Sequence, residues 1–181
     1  LGAERKGRRG AFGQREKQVD RKRRVEIGLF LAGLLLRAPG LLFNGMSDPD
    51  VWMFNWGPRV MEQGLAPAFE GGYGYGILSY AFAGISHAIA NMVPRFWWAP
   101  LKFFELCFET GILWLLARLL GRERRRWAFY LFWLNPWFIL HGCWHGYWDG
   151  WHTLAALLAL CFLRDIGDER KAWVAAGVAL M

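Results

Sequence analysis

Residues 127–163 have the sequence WAFYLFWLNPWFILHGCWHGYWDGWHTLAALLALCFL, with Asp149 as the only Asp, Glu, Lys or Arg. One crossing of the hydrocarbon core takes about 17–20 residues, so this stretch is long enough for two crossings joined by a tight turn. The turn falls at His141–Gly150, where Gly142, Gly146 and Gly150 suit a sharp change of direction. The stretch therefore predicts two spanning helices, at about 127–144 and 149–163.

Further apolar runs lie on both sides of this pair, at about residues 25–43, at 101–120 and from 173 onward. The chain is 55% hydrophobic and contains 12 Trp, whereas a soluble domain is usually about 45–50% apolar. We predict an all-α fold, a polytopic transmembrane helical bundle formed by residues 25–181. The polar, proline-broken segment 44–98 is its first outer loop and contains membrane-surface helices.

The positions of the basic residues orient this bundle. Lys and Arg cluster at 5–24, 118–126 and 164–171, and such clusters in short loops mark the cytoplasmic side. If Gly76–Val93 crossed the membrane, the middle cluster would lie outside. Its serines, histidine and asparagine also suit an interfacial helix better than a spanning one. We therefore expect Gly76–Val93 to lie along the outer surface, with the N-terminus in the cytoplasm.

The N-terminal tail, residues 1–24, holds ten Lys/Arg against three Asp/Glu. We expect it to contact anionic lipids of the cytoplasmic leaflet, and not nucleic acid, because no platform of aromatic and basic residues accompanies it. The chain starts at Leu1 instead of Met and stops inside the apolar run that begins at Trp173. Both ends are therefore expected to continue in a longer protein.

The outer loop opens with Ser47-Asp48-Pro49-Asp50-Val51-Trp52 directly after the first span. Asp48 or Asp50 could serve as a general base, because deprotonating a hydroxyl requires a carboxylate in contact with it. Alternatively, both residues cap a helix that begins near Val51. Their spacing alone slightly favours capping.

A second polar group, His141, His145 and Asp149, occupies the predicted turn. The i, i+4, i+8 spacing would align the three on one helical face, where a metal site is conceivable. The glycines of the turn weaken that helix, so we expect no metal ion and no other cofactor. Asp149 is instead expected to contact substrate or to hold the turn.

Four ionisable residues fall inside apolar runs, where charged groups are costly and usually face a cavity or one another. Lys102, Glu105 and Glu109 lie on one face of the 101–120 run, and an i, i+3 pair explains Lys102 and Glu105. Glu109 has no basic residue four positions on and is therefore more suggestive of function. Arg37 could bind a lipid phosphate or extend to the interface.

In their order, these features resemble the GT-C superfamily of membrane glycosyltransferases, which use polyprenyl- or dolichyl-phosphate sugars. The likeness rests on SDPDVW after the first span, YGYGILSY (Tyr73–Tyr80), PLKFFELCFETGILWLLARLLGRERRR, and LNPWFILHGCWHGYWDGWHTLAALLAL (Leu134–Leu160). It covers about residues 25–175. Tyr73–Tyr80 departs from the family because it lacks the prolines of the corresponding motif.

The resemblance implies transfer of a sugar, with inversion, from a lipid-linked donor at the outer membrane face. It implies that Asp48 or Asp50 is the catalytic base. Arg37, Lys102, Glu109, His145 and Asp149 are then candidates for substrate binding. The expected partners are the lipid-linked sugar donor, membrane lipids and other membrane proteins.

Two other functions remain open. The chain could be a non-enzymatic membrane subunit of a larger complex that keeps the same fold. A transporter is disfavoured, because residues 25–181 show no inverted repeat and no pair of broken helices.

Overall fold

The computed structural model of this chain describes residues 2–43, 52–70, 77–145, 150–165 and 169–180. Every regular element within these ranges is helical, so the fold is all-α. Asp48, Asp50 and Asp149 lie outside the described residues, and the predictions made for them stay predictions.

Helix α1 extends from Gly2 to Leu42 and joins the basic tail to the first apolar run without interruption. Its part Val19–Leu42 is long and apolar enough to cross a membrane, and it is the one such helix among the described residues. Only 17% of that window is buried against the rest of the chain. Most of its apolar surface therefore faces outward, as lipid contact would require.

Between the first two long helices lie several short ones: a π-helical turn Trp52–Trp56, α2 (Gly57–Gln63), α3 (Leu65–Glu70), α4 (Ile77–Met92) and a 3-10 turn Pro94–Phe96. They pack around one apolar cluster, which includes Trp56, Tyr80 and Leu101. The Trp56 and Tyr80 rings stack with their centroids 4.7 Å apart.

Helix α4 covers almost the whole run in which we expected a membrane-surface helix. Its small polar residues Ser79 and Ser86 are buried, whereas Ile85, Ile89 and Met92 are exposed. The polar atoms thus face protein and the apolar side chains face outward. This distribution suits a helix in contact with lipid, whether it lies along the membrane or crosses it.

Helix α5, Ala99–Ala128, follows and is interrupted at Gly121, where φ is 70°. It packs antiparallel to α1, because residues near the end of α1 contact residues near the start of α5, and the reverse holds at the other end. Glu26 pairs with Arg125, Arg37 pairs with Glu109, and Gly40 accepts a hydrogen bond from Lys102. The two helices are therefore fixed to each other near both ends of their contact.

The segment predicted as one span at 127–144 is divided at Asn135. A π-helical stretch, Phe129–Trp133, precedes the break; the short helix α6 (Pro136–Phe138) and a second π-helical stretch, Ile139–Trp144, follow it. Proline disfavours helical backbone in the residue before it, and Asn135 is accordingly extended. Its side chain accepts a hydrogen bond from the Trp137 backbone N–H at 3.0 Å, which caps the new helix.

Two further helices, α7 (Gly150–Asp165) and α8 (Glu169–Leu180), complete the described structure. Helix α7 packs on α5, where Leu154 lies against Gly111. The second apolar cluster lies among α1, α5 and the stretch Phe129–Trp133. Its centre is Trp133, which is fully buried.

Candidate functional site: a buried charged core between helices

Arg37 projects from α1 into the interior and is 0% exposed. Its Nε donates to Glu109 Oε2 at 2.6 Å, and its Nη1 donates to the carbonyls of Trp133 at 2.6 Å and Gly33 at 3.2 Å. The guanidinium also stacks over the Trp133 ring, 4.0 Å from its centroid. One side chain thereby joins three elements: α1, α5 and the Phe129–Trp133 stretch.

Both alternatives for Arg37, a lipid phosphate and the membrane interface, stay predictions, but the described hydrogen bonds of Nε and Nη1 are all to groups of the protein itself. Burial without a counter-charge would cost several kcal/mol, so the arginine is stable here only through Glu109 and the two carbonyls. Its Nη2 is buried and has no hydrogen-bond partner within the described residues. Binding of substrate by Arg37 stays a prediction.

Glu109 was the acid without an evident partner in its own helix, and its partner comes from α1 instead. The carboxylate is enclosed closely: Cys143 Sγ lies 4.0 Å from Oε2. A side chain at position 142 would overlap Oε1, so only glycine fits beside it. Gly142, predicted to serve the turn, thus serves close packing against a buried carboxylate.

Lys102 is also 0% exposed. Its ammonium donates to three backbone carbonyls: Phe43 at 2.7 Å, Gly40 at 2.8 Å and Trp144 at 2.9 Å. An ammonium has three protons, and each one is matched to an oxygen. Gly40 and Phe43 lie at the C-terminal end of α1, where carbonyls lack helical partners and a cation is favourable.

The i, i+3 pairing of Lys102 with Glu105 is therefore not what holds the lysine, because its three donors are directed to carbonyls. Glu105 is 5% exposed and faces α7 instead. A Cβ atom on Gly150 would lie 2.5 Å from Glu105 Oε1. The glycine that follows Asp149 is thus in immediate contact with this carboxylate.

We call the three carbonyls and the ammonium the Lys102 junction. Phe43 and Trp144 are 101 positions apart in sequence, yet both bind one nitrogen, and their rings stack at 6.1 Å. Two indole N–H groups add hydrogen bonds to α1: Trp144 donates to the Leu36 carbonyl at 3.1 Å, and Trp98 donates to the Leu41 carbonyl at 3.2 Å. The junction therefore brings together the starts of the two segments that carry the predicted acidic residues.

The two histidines of the predicted turn differ in surroundings. His141 stacks on Trp137 with ring centroids 5.5 Å apart, and His145 is exposed at the end of the second π-helical stretch. Among the described residues no group of three His, Cys, Asp or Glu is arranged to hold a metal ion. Binding of substrate by His145 stays a prediction.

No family model, no curated protein and no solved structure matches this chain.

Arg37 and Glu109 bind each other, and Arg37 and Lys102 also bind backbone carbonyls of other elements. These bonds hold three helical segments in place, and binding of substrate by Arg37, Lys102 or Glu109 stays a prediction.

Sequence reasoning identified all four ionisable residues of the charged core, Arg37, Lys102, Glu105 and Glu109. The sequence analysis missed two aromatic residues of this core: Trp133, over whose ring the Arg37 guanidinium stacks, and Trp144, whose carbonyl binds Lys102. A tryptophan in an apolar run gives no signal of such a role. The usable signal was Glu109, which has no basic residue four positions on and was therefore singled out, although its partner was not predicted.

Proposed function

We propose that this chain forms part of a polytopic membrane glycosyltransferase that takes a sugar from a polyprenyl-phosphate donor. In this proposal α1, the first part of α5, the 127–144 segment and α7 cross the membrane. The acceptor site lies at the outer membrane face. Asp48 or Asp50 is the general base, and Asp149 lies beside the same site.

The observation that carries the proposal is the Lys102 junction. Asp48 and Asp50 follow Phe43 within seven positions, and Asp149 follows Trp144 within five. Both segments start from carbonyls bound to one ammonium. An extended residue spans at most about 3.3–3.6 Å, so carboxylates from both segments are within reach of one small substrate.

A membrane location explains why charges are buried so completely in so small a chain. Ionisable groups inside a bilayer face the protein interior and pair there, as Arg37 and Glu109 do. At the same time large apolar side chains such as Leu35, Trp114 and Leu131 are more than half exposed. Such a surface is unfavourable in water and favourable against lipid.

The proposed reaction needs one base and one leaving group. A carboxylate of Asp48 or Asp50 accepts the proton of an acceptor hydroxyl, whose oxygen forms a bond with the anomeric carbon. The bond between that carbon and the phosphate oxygen breaks, and the polyprenyl phosphate leaves with its electron pair. Attack from the face opposite the phosphate inverts the anomeric configuration.

The test is transfer of radiolabelled sugar by the full-length protein in detergent, with a panel of polyprenyl-phosphate monosaccharides as donors. Asp48→Asn and Asp50→Asn keep the size and capping capacity of each residue but remove its basicity. We expect one of them to lower turnover by about 10²–10⁴-fold, the usual contribution of a general base. Glu62→Gln, an exposed acid in the same loop, is the matched control and should leave turnover unchanged.

Turnover within about threefold of the unmodified protein in both Asn variants would exclude the general-base role. If the unmodified protein transfers no sugar from any donor, the proposal of a transferase fails. In that case the non-enzymatic subunit is favoured, and purification under mild conditions should recover it with stable membrane partners.

A further inference from the structure

A second feature, far from the Lys102 junction, is a groove of about 660 Å³ between α1 and α5. It lies at the opposite end of the contact between these helices, around the Glu26–Arg125 ion pair. One end of the groove is charged and the other is apolar. The proposed transferase reaction does not use it.

The charged end carries four arginines against one glutamate: Arg23, Arg118, Arg122, Arg125 and Glu26. Arg125 Nε donates to Glu26 Oε1 at 3.0 Å, which neutralises one positive charge. Arg23 and Arg122 are exposed, and the Arg118 guanidinium lies 5.7 Å from the Trp114 ring centroid. The groove thus has a positive excess at its mouth.

The apolar end begins about one turn further along both helices and is formed by Ile27 and Phe30 of α1 and by Leu113 and Trp114 of α5. Ile27 is 49% exposed and Trp114 is 59% exposed. Their apolar surfaces face the groove region without being covered by described parts of the chain. A polyanion without an apolar part would leave this surface in water.

We infer that this groove binds an anionic phospholipid of the cytoplasmic leaflet, with the phosphate at the arginines and an acyl chain along Ile27, Phe30 and Trp114. Guanidinium groups donate paired hydrogen bonds that match phosphate oxygens. Basic pockets between membrane helices on the cytoplasmic side are suited to such headgroups. The inference rests on the membrane location of α1 and α5 and not on transferase activity.

The order of groups along the groove favours a lipid over a soluble phosphate or a nucleic acid. Charge is concentrated at one end and apolar surface follows it along the helix axes, which is the order of groups in a phospholipid. From Arg23 to Phe30 the rise of α1 is about 10 Å at about 1.5 Å per residue. That length accommodates the glycerol unit and the first part of an acyl chain.

The experiment is native mass spectrometry of the full-length protein in detergent, titrated with phosphatidylglycerol or with phosphatidylcholine of the same chains. We expect phosphatidylglycerol to bind more tightly. Arg118→Gln combined with Arg122→Gln should weaken that binding by about tenfold or more, because each arginine near an anionic headgroup contributes to the free energy of lipid binding. Both arginines are exposed, so the variant should keep its unfolding midpoint.

Arg95→Gln is the matched control, since Arg95 is also exposed but lies in the 3-10 turn before α5, away from the groove. Trp114→Ala should weaken the binding of phosphatidylglycerol as well, because it removes part of the apolar wall of the groove. Arg122→Lys, which keeps the charge, should retain most of the affinity. Sugar-transfer activity is a separate readout, so the lipid site and the transferase proposal can fail independently.

Several results would overturn the inference. Equal binding of the two lipids would show that charge is not recognised. An equal loss in Arg95→Gln would show that the groove is not the site. Displacement of the lipid by glycerol phosphate would indicate a soluble phosphate ligand, and displacement by duplex DNA at equal charge would indicate a nucleic-acid surface.

Discussion

Arg37 and Glu109 lie 72 positions apart in sequence and form a fully buried ion pair, with Nε 2.6 Å from Oε2. The pair connects α1 to α5 near the end of their contact at which Lys102 binds the Gly40 carbonyl. Because Arg37 also binds the Trp133 carbonyl, its removal would leave unpaired groups on two other elements. The pair is therefore a point at which three helical segments depend on one another.

The first prediction concerns the stability of this pair. Arg37→Met leaves the Glu109 carboxylate buried without its cation, and loss of one partner of a buried pair costs about 3–5 kcal/mol. Arg37→Met combined with Glu109→Gln should cost less than the sum of the two single substitutions, because the charges then disappear together. The measurement is the free energy of unfolding in detergent, from denaturant titration.

The Glu26–Arg125 pair is the control for this measurement. It joins the same two helices, but the Arg125 side chain is 44% exposed. Glu26→Gln should therefore cost less than about 1 kcal/mol. If Arg37→Met cost no more than Glu26→Gln, the buried pair would not be the connection that the geometry indicates.

Two glycines of α1 provide a second, matched prediction. A Cβ atom at Gly33 would overlap the Trp133 indole, whereas one at Gly28 would meet nothing within 4 Å. The indole cannot move aside, since it stacks on Phe30 at 5.2 Å and donates to the Phe30 carbonyl at 3.0 Å. Gly33→Ala should destabilise the protein by about 1–3 kcal/mol or more.

Gly28→Ala should instead stabilise α1 by about 0.5–1 kcal/mol, because alanine restricts the unfolded chain more than glycine does. Thermal unfolding in detergent gives the sign of both effects. Equal shifts for the two alanine variants would mean that α1 does not pack on Trp133 in this register.

Much of the helical architecture could be predicted from the sequence, because the length of an apolar run limits the helix that contains it. The runs at 101–120 and 149–163 correspond closely to α5 and α7. The extension of α5 to Ala128 was not predicted, since its last turns are charged. The division at Asn135 follows from Pro136 and could have been expected from that residue alone.

The site was harder to predict, because its contacts depend on how each helix is rotated about its axis. Arg37 and Glu109 were both singled out, yet nothing in the spacing of either run shows that they face each other. The contacts of Lys102 involve backbone carbonyls, which every residue has, so no pattern of side chains could indicate them. Sequence therefore identified the charged residues but not their partners.

The third prediction tests the Lys102 junction by cross-linking. In a background with Cys107, Cys143 and Cys161 replaced by alanine, Phe43→Cys and Trp144→Cys should be joined readily by a short bifunctional thiol-reactive cross-linker. The two rings stack in the structure at 6.1 Å, and the carbonyls of both residues bind one ammonium. Mass spectrometry of peptides measures the yield.

Lys102→Met should lower this yield several-fold, because it removes the three hydrogen bonds that hold the two segments together. A cysteine pair at Glu26 and Arg125, at the other end of the contact between α1 and α5, should keep its yield in the same Lys102→Met protein. Loss of both cross-links would indicate general unfolding. Retention of both would show that Lys102 does not maintain the junction.

The last prediction is that α4 does not cross the membrane. Helices α1 and α5 are antiparallel, and Lys102 near the start of α5 binds the Phe43 carbonyl at the end of α1. Both ends of segment 44–98 are therefore at the same depth along the α1–α5 contact, whereas a single crossing by α4 would place them on opposite sides of the membrane. The basic cluster in the last turns of α5 then returns to the side of the N-terminal tail, in agreement with the bias of Lys and Arg toward the cytoplasm.

Labelling with a membrane-impermeant maleimide in intact cells tests this directly, again in the background without native cysteines. Gly121 is a poor position for a probe, because its φ of 70° would strain any other residue. Glu123 is exposed two positions later, so Glu123→Cys should react only after the membrane is permeabilised. Arg95→Cys, at an exposed polar position in the 3-10 turn after α4, should react from outside in intact cells. Labelling of Glu123→Cys from outside would place the basic cluster there and would contradict the predicted orientation of the chain.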